Sequence, residues 1–409
     1  MLFSRLRMIA GRAVAALIAI ALAGAGPRVA QNTDGSGQQT TAIKAVAAGA
    51  MSQYHLKAIV VRVVVNGREV YTGALGESMN GVPATPQMHF RNGAMAFTYM
   101  ATMLLELVDQ KKVRLDDRLA RFFPSLPYAN RITLENLANM TSGYADYVYQ
   151  PEVASAVSLD PFRHWSSEEL TVIGVRKPLM FSPGTNWGYS HTNYVILGRV
   201  LEKITGLPLA MAMQRYVSNP MKLAQTRSFD TPEIPEPVLH SYSSERRADL
   251  KIPPEMPFYE ESTFWDPSWT TANGAVQITD IADMTRSMQL VGSGELLSKE
   301  SVAAQIGPNL VGFGHSDPKC PVCRQNTREF NYGLGVVNLG PWIAQIKNFA
   351  GCGATVGYLP SHKLAIAVVT TYTPAAFDSK GDSQNASQSI FASLAKLLAP
   401  GTLPVSRSL

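Results

Sequence analysis

Cysteine is scarce in this chain, with three in 409 residues, so the sequence does not encode a small scaffold held by a disulfide framework. Charge is thin as well: 16% charged residues beside 9% aromatic residues excludes a disordered chain. Acids are missing from the first 30 residues, where Arg5, Arg7, Arg12 and Arg28 stand alone. Long apolar runs are missing too. The one at 13–23, AVAALIAIALA, falls short of the roughly 18 residues that a membrane-spanning helix needs. No Gly-x-Ser-x-Gly occurs, which argues against the nucleophile elbow of an α/β-hydrolase. Repeats and low-complexity segments are absent.

What is present bounds the answer further. A chain of this length that is 46% hydrophobic forms one large or two modest domains with a sizeable core. A pI near 9 invites a nucleic-acid or membrane-surface reading, but the basic excess sits at the front. Three arginines, the apolar run, Gly24 to Gly26 and a small-residue stop at Val29-Ala30 read as a secretory signal over residues 1–30. An uncleaved N-terminal anchor is the alternative. No Cys follows the run to accept a lipid, and no Arg-Arg pair marks the twin-arginine route. Cleavage after Ala30 removes four arginines and no acid, taking the net charge from +5 to +1. The remaining charges are interspersed, so the nucleic-acid reading loses its support. The expectation is an exported protein, periplasmic or secreted, with no membrane span after signal removal.

Along the mature chain, the polar residues 31–40 read as a flexible leader, and 41–53 as a helix. LKAIVVRVVV, Asn66-Gly67 and REVYTGALG predict a β-hairpin around an Asn-Gly turn. Residues 94–110 carry helical spacing and end in Lys111-Lys112. Shorter helical stretches follow at 131–143 and 192–206, the latter stopped by Gly206 and Pro208. Residues 230–262, rich in Pro and acids, read as a long loop, and 275–290 as a helix. Strands are expected at 332–340, 344–350, 354–359 and 363–373, with a closing helix at 384–398. The order predicts an α+β fold: an antiparallel sheet built from both ends of the chain, flanked by helices, with an inserted helical domain. The main domain spans 41–400, its α/β part being 41–111 and about 265–400 and its helical insertion about 112–264.

Five segments resemble the penicillin-recognising serine hydrolases, that is, class C β-lactamases, D-Ala-D-Ala carboxypeptidases and related esterases. They are FRNGAMAFTYMATMLLELVDQKKVRLDDRLARFFP (90–124), ITLENLANMTSGY (132–144), FSPGTNWGYSHTNYVILGRVLEKITG (181–206), TTANGAVQITDIADM (270–284) and YGLGVV…GCGATVGYLP (332–360). Their order and spacing agree as well as their wording. The resemblance implies a serine β-lactamase/transpeptidase-like fold. It also implies a set of catalytic positions: a Ser and a Lys one turn apart on the first long helix, a Tyr-x-Asn motif, and a strand Lys or His followed two residues later by Gly.

At those positions this sequence departs from the family. The Ser-x-x-Lys position reads Ala94-Met95-Ala96-Phe97, and the strand motif is placed at Gly351-Cys352-Gly353, without its cation. The middle motif reads Tyr189-Ser190-His191. An acyl-enzyme cannot form at Ala94, and a buried Lys without its Ser would be unsatisfied, so Phe97 fills the volume instead. The reading is a relaxed, plugged pocket in which Ala94, Phe97, Gly351 and Gly353 line the former cleft. Ser-x-x-Lys recurs at Ser316–Lys319 and Ser393–Lys396, both outside the family frame.

Other residues carry two readings. Tyr189 either polarises a ligand or is a hydrogen-bonded pocket tyrosine, and His191 is either a general base or a cleft histidine without chemistry. Ser190 is not the nucleophile in the family frame, and Thr141-Ser142-Gly143 reads as a helix-end turn. Cys320-Pro-Val-Cys323 reads most simply as a disulfide in an oxidising compartment; a zinc set from His315, Cys320, Cys323 and Cys352 is the alternative. A free Cys352 would sit beside the substrate strand. No cofactor, metal or nucleic acid is expected. The leading expectation is an exported, catalytically silent homologue binding a cell-wall peptide or similar small ligand. A hydrolase using Tyr189, His191 and water, and a protein-interaction module, are the alternatives.

Overall fold

The computed structural model describes residues 33–229 and 231–402, so the signal expected at 1–30 lies outside the described residues. One eight-stranded antiparallel sheet organises the fold. Its strands are β1 (Leu56–Val65), β2 (Arg68–Met79), β3 (Val82–Pro83), β4 (Phe330–Tyr332), β5 (Val337–Leu339), β6 (Trp342–Phe349), β7 (Cys352–Leu359) and β8 (Leu364–Tyr372). The spatial order is β3-β2-β1-β8-β7-β6-β5-β4, so the two ends of the chain meet where β1 pairs with β8. β1 is buried along nearly its whole length, which explains an apolar run without alternation. Asn66 and Gly67 both take positive φ, 51° and 73°, the geometry that closes a two-residue hairpin with the right twist.

Eleven α-helices are found among the described residues, beside short 3-10 turns and two small two-stranded ribbons: α1 (Thr33–Gln53), α2 (Met95–Asp109), α3 (Leu134–Ala138), α4 (Pro151–Leu159), α5 (Ser167–Arg176), α6 (His191–Thr205), α7 (Leu209–Met213), α8 (Asn219–Met221), α9 (Ile281–Ser293), α10 (Lys299–Ile306) and α11 (Ala386–Leu398). Helices α1 and α11 pack on the sheet and on each other, while α2 and α9 also pack on sheet strands. Helix α2 is buried on nearly every side, and α3, α5, α6 and α7 build a helical layer beyond it. The largest of three hydrophobic clusters among the described residues runs through sheet and helices together.

Two expectations need correction. The leader is helical from Thr33 onward, because a helix once nucleated by 41–53 extends at the cost of ordering one residue per added bond. Residues 275–280 are not helical. Gln277 exchanges hydrogen bonds with Asn92, Ile278 pairs with Arg91 and Arg227, and α9 starts only after Asp280, whose carboxylate accepts from Asp283 N.

Candidate functional site

A cleft of about 610 Å³ opens where the N-terminus of α2, the N-terminus of α6 and the C-terminal end of β6 converge. Ala94, Phe97, Tyr189 and His191 all line it, so four residues 97 positions apart in sequence at the extremes share one wall. Ala94 presents only a methyl group at the start of α2. Phe97, one turn on, turns inward: it is 3% exposed and stacks on Tyr194 with ring centroids 4.2 Å apart. The pocket is therefore open beside Phe97 rather than plugged.

The Tyr189–His191 segment is held by the turn after α3. Thr133 and Asn136 form a capping box, Gly143 takes φ +84°, and a Cβ there would lie 2.1 Å from the Phe181 carbonyl. Gly188 N donates to Met140 O, and Ser142 Oγ donates to Asn193 on α6. Thr141-Ser142-Gly143 is thus the turn that fixes the entry into α6. Burial, with Tyr332 and Asp146 nearby, holds the Tyr189 phenol far above its usual range. Its hydroxyl is therefore a hydrogen-bond donor toward the cleft. Ser190 is fully buried and does not line the cleft.

His191 does not stand alone. Its Nδ1 donates to Asp146 Oδ2 at 2.8 Å, and the Asp146 side chain is 2% exposed. The other Asp146 oxygen accepts from Val148 N. Thr192 clasps the residues on either side of Asp146: its hydroxyl donates to Ala145 O at 2.6 Å and accepts from Tyr147 N at 3.3 Å. Sequence reasoning missed Asp146. It is a single acid in a loop 45 residues before His191, and no spacing pattern marks it.

Gly351 and Gly353 do not line the cleft. Gly351 lies in the β6–β7 turn with φ 69°, against the Tyr242 backbone, and Gly353 faces Asn385, Tyr372 and Thr370. The strand that faces the cleft is β6, through Ile346, Lys347, Asn348 and Phe349. A cation does line the cleft from this strand, Lys347, although Lys347-Asn348-Phe349 lacks the glycine of the family motif. Its stem crosses Gly93, where a Cβ would come within 2.6 Å of Lys347 Cγ, so the residue before Ala94 must be small. Lys347 has no ion-pair partner among the described residues, and its Nζ lies 5.9 Å from the centre of the Phe90 ring. The signal in the sequence was a lone cation inside the buried strand WIAQIKNF. β5 pairs with β6 only as far as Ala344, so the edge at 346–349 is not covered by β5.

The remaining wall is aromatic and basic. Tyr149, Trp187, Trp269 and Phe349 line it, Arg324 lies over the Trp187 and Phe330 rings, and no lining residue among those described is Asp or Glu. Pro321, Val322 and Cys323 close one side. Cys320 and Cys323 form a disulfide that packs on Gly188, so neither is available as a zinc thiolate. No group of three or more metal-ligating side chains forms among the described residues. Cys352 is buried at 4% exposure on β7, away from the cleft lining, and the two other Ser-x-x-Lys matches do not reach the site. No helix among the described residues is long and apolar enough to cross a membrane.

Comparison with known proteins agrees with this architecture. The D-stereospecific amidohydrolase from Streptomyces sp. superposes with a TM-score of 0.69 at 23% identity, covering 87% of this chain and 99% of its own. The D-amino acid amidase from Ochrobactrum anthropi SV3, complexed with L-phenylalanine amide, gives 0.71 at 19% identity over 88% and 98%. In sequence, penicillin-binding protein 4 of Amycolatopsis lactamdurans is 27% identical over 58% of this chain and 59% of its own length. Esterase EstB of Burkholderia gladioli is 24% identical over 65% and 73%. The chain spans less than two thirds of the first curated relatives it matches, 59%, 31% and 58% of their lengths. The family model described as Beta-lactamase matches residues 43–389. The chain belongs to the Beta-lactamase family of serine hydrolases.

Proposed function

We propose that this protein is an exported member of the family that forms no acyl-enzyme and binds a small carboxylate-bearing ligand, such as a cell-wall peptide, in its cleft. The observation that carries the proposal is Ala94, a methyl group at the cleft end of α2, with Phe97 packed into the core one turn later. Covalent catalysis needs a nucleophile activated by a neighbouring base, and this helix end offers neither. Three features favour binding. Lys347 supplies an unpaired cation, residues 346–349 offer strand edge to an extended peptide, and the aromatic wall gives apolar contact. The relatives' names point the same way, toward penicillins, esters and D-amino acid amides.

The test uses the purified mature protein. Intact mass after incubation with a fluorescent penicillin is expected to show no adduct, while D-alanyl-D-alanine quenches tryptophan fluorescence saturably and Lys347→Met weakens that binding at least tenfold. A covalent adduct, or the absence of saturable dipeptide binding, overturns the proposal. N-terminal sequencing of protein recovered outside the cytoplasm is expected to begin after Ala30.

A further inference from the structure

We infer that His191 and Asp146 form a general-base pair that drives direct attack of water on an ester carbonyl held in the cleft. The inference rests on the cleft being a ligand site and adds a reaction to it. A base that works on water needs three things: a fixed tautomer, a free nitrogen with access to solvent, and room for the reacting carbonyl.

Asp146 meets the first need. By accepting from Nδ1 it leaves the lone pair of neutral His191 on Nε2. The carboxylate is itself immobilised by Val148 N and by the Thr192 clasp on its two neighbours. The second need is met because Nε2 has no protein hydrogen-bond partner among the described residues, and the side chain is 20% exposed where it lines the cleft. The cleft itself meets the third.

Two other histidine–carboxylate pairs in the same protein show what a structural pair looks like. His164 also pairs with an aspartate, Asp266, but its Nε2 is engaged by Asn273 Nδ2 at 3.3 Å. His240 pairs with Glu261, and its Nε2 is buried with no hydrogen-bond partner among the described residues. Of the three, only His191 joins an anchored Nδ1 to an Nε2 with no protein partner on the main cleft.

The step balances without a further reactant. Water gives a proton to Nε2 as its oxygen bonds to the carbonyl carbon, and the carbonyl π pair moves to oxygen. That oxyanion faces a wall where Tyr189, in edge contact with the His191 ring at 5.2 Å, has a hydroxyl without a protein partner among the described residues. Collapse of the tetrahedral species breaks the ester C–O bond. The imidazolium returns its proton to the leaving alkoxide, giving acid, alcohol and the starting enzyme. Ala94 takes no part, so no acyl-enzyme accumulates. His191 is the catalytic residue and Asp146 a positioning residue.

The experiment measures hydrolysis of p-nitrophenyl acetate by the full mature protein, with intact mass taken during turnover. Steady turnover without a burst or a mass adduct is expected, falling about 100-fold in His191→Gln, the usual contribution of general-base catalysis. Asp146→Asn keeps an oxygen for Val148 N; it is expected to lower kcat with KM unchanged, a split that a merely structural loss would not produce. Turnover equal in wild type and His191→Gln overturns the inference, as does an acylated intermediate. Dipeptide binding without any turnover overturns the inference but leaves the binding proposal standing. Absence of dipeptide binding fails the binding proposal itself.

Discussion

Replacing Phe97 with alanine is expected to cost about 3 kcal/mol of stability. The ring is 3% exposed, stacks on Tyr194 at 4.2 Å and meets the His191 ring edge-on at 5.7 Å. Truncating a buried phenylalanine costs about 3–5 kcal/mol, of which the aromatic contact contributes about 0.5–1.5. The low end applies here because Phe97 borders the open cleft, so water enters the space the ring leaves and part of the cavity penalty is relieved. Equilibrium urea unfolding followed by far-ultraviolet circular dichroism measures the loss, with Phe97→Leu as the volume control, expected near 1 kcal/mol. A loss below about 1 kcal/mol for the alanine variant would refute the packing argument, and with it the claim that Phe97 replaces an unsatisfiable lysine by filling its volume.

Gly351→Ala is expected to destabilise by more than about 1 kcal/mol yet leave dipeptide affinity unchanged, because its Cβ would sit 1.9 Å from the Tyr242 carbonyl at positive φ and outside the cleft; a neutral variant, or one with altered affinity, would contradict that placement. Asp109→Asn is expected to lose stability near neutral pH but not in acid. Partial burial raises the Asp109 pKa, but hydrogen bonds from Ser298 and Ser301 outweigh it and hold the group below 3.8. A depressed carboxylate stabilises above its unfolded value and loses that contribution as pH falls through its folded one. The melting-temperature gap between wild type and variant should therefore close as pH falls through that depressed folded value, and a gap that persists in strong acid counts against the assignment. Reducing Cys320–Cys323 removes a very short loop closure, worth about 2 kcal/mol at most. It is expected to weaken dipeptide binding because Pro321, Val322 and Cys323 form a cleft wall, and an unchanged Kd in reductant would show that the wall is held by other contacts.

Local chemistry made much of this protein legible in its sequence. Asn66-Gly67 specifies a hairpin because both residues tolerate positive φ, and the long, largely apolar stretch 94–110 specifies α2, a helix buried on nearly all sides. The motif frame located Ala94, Phe97, Tyr189 and His191, and all four meet in one cleft. The strand motif failed for a physical reason. A strand and the next strand of a hairpin carry similar apolar wording, and only pairing decides which faces the cleft. Gly351 and Gly353 belong to the turn and the strand behind, while Lys347 on β6 faces forward over Gly93. Asp146 was invisible for a related reason: an acid in a loop acquires meaning only when the fold brings it to 2.8 Å from a histidine 45 residues away. The sequence by itself determined most of the elements, the family, and that Ala94 and Phe97 stand at the Ser-x-x-Lys position, all of which depend on residue identity and short-range spacing. Only the tertiary structure decided that the cleft is open, that Lys347 lines it and that His191 has a carboxylate partner, because each depends on which distant segments pack together.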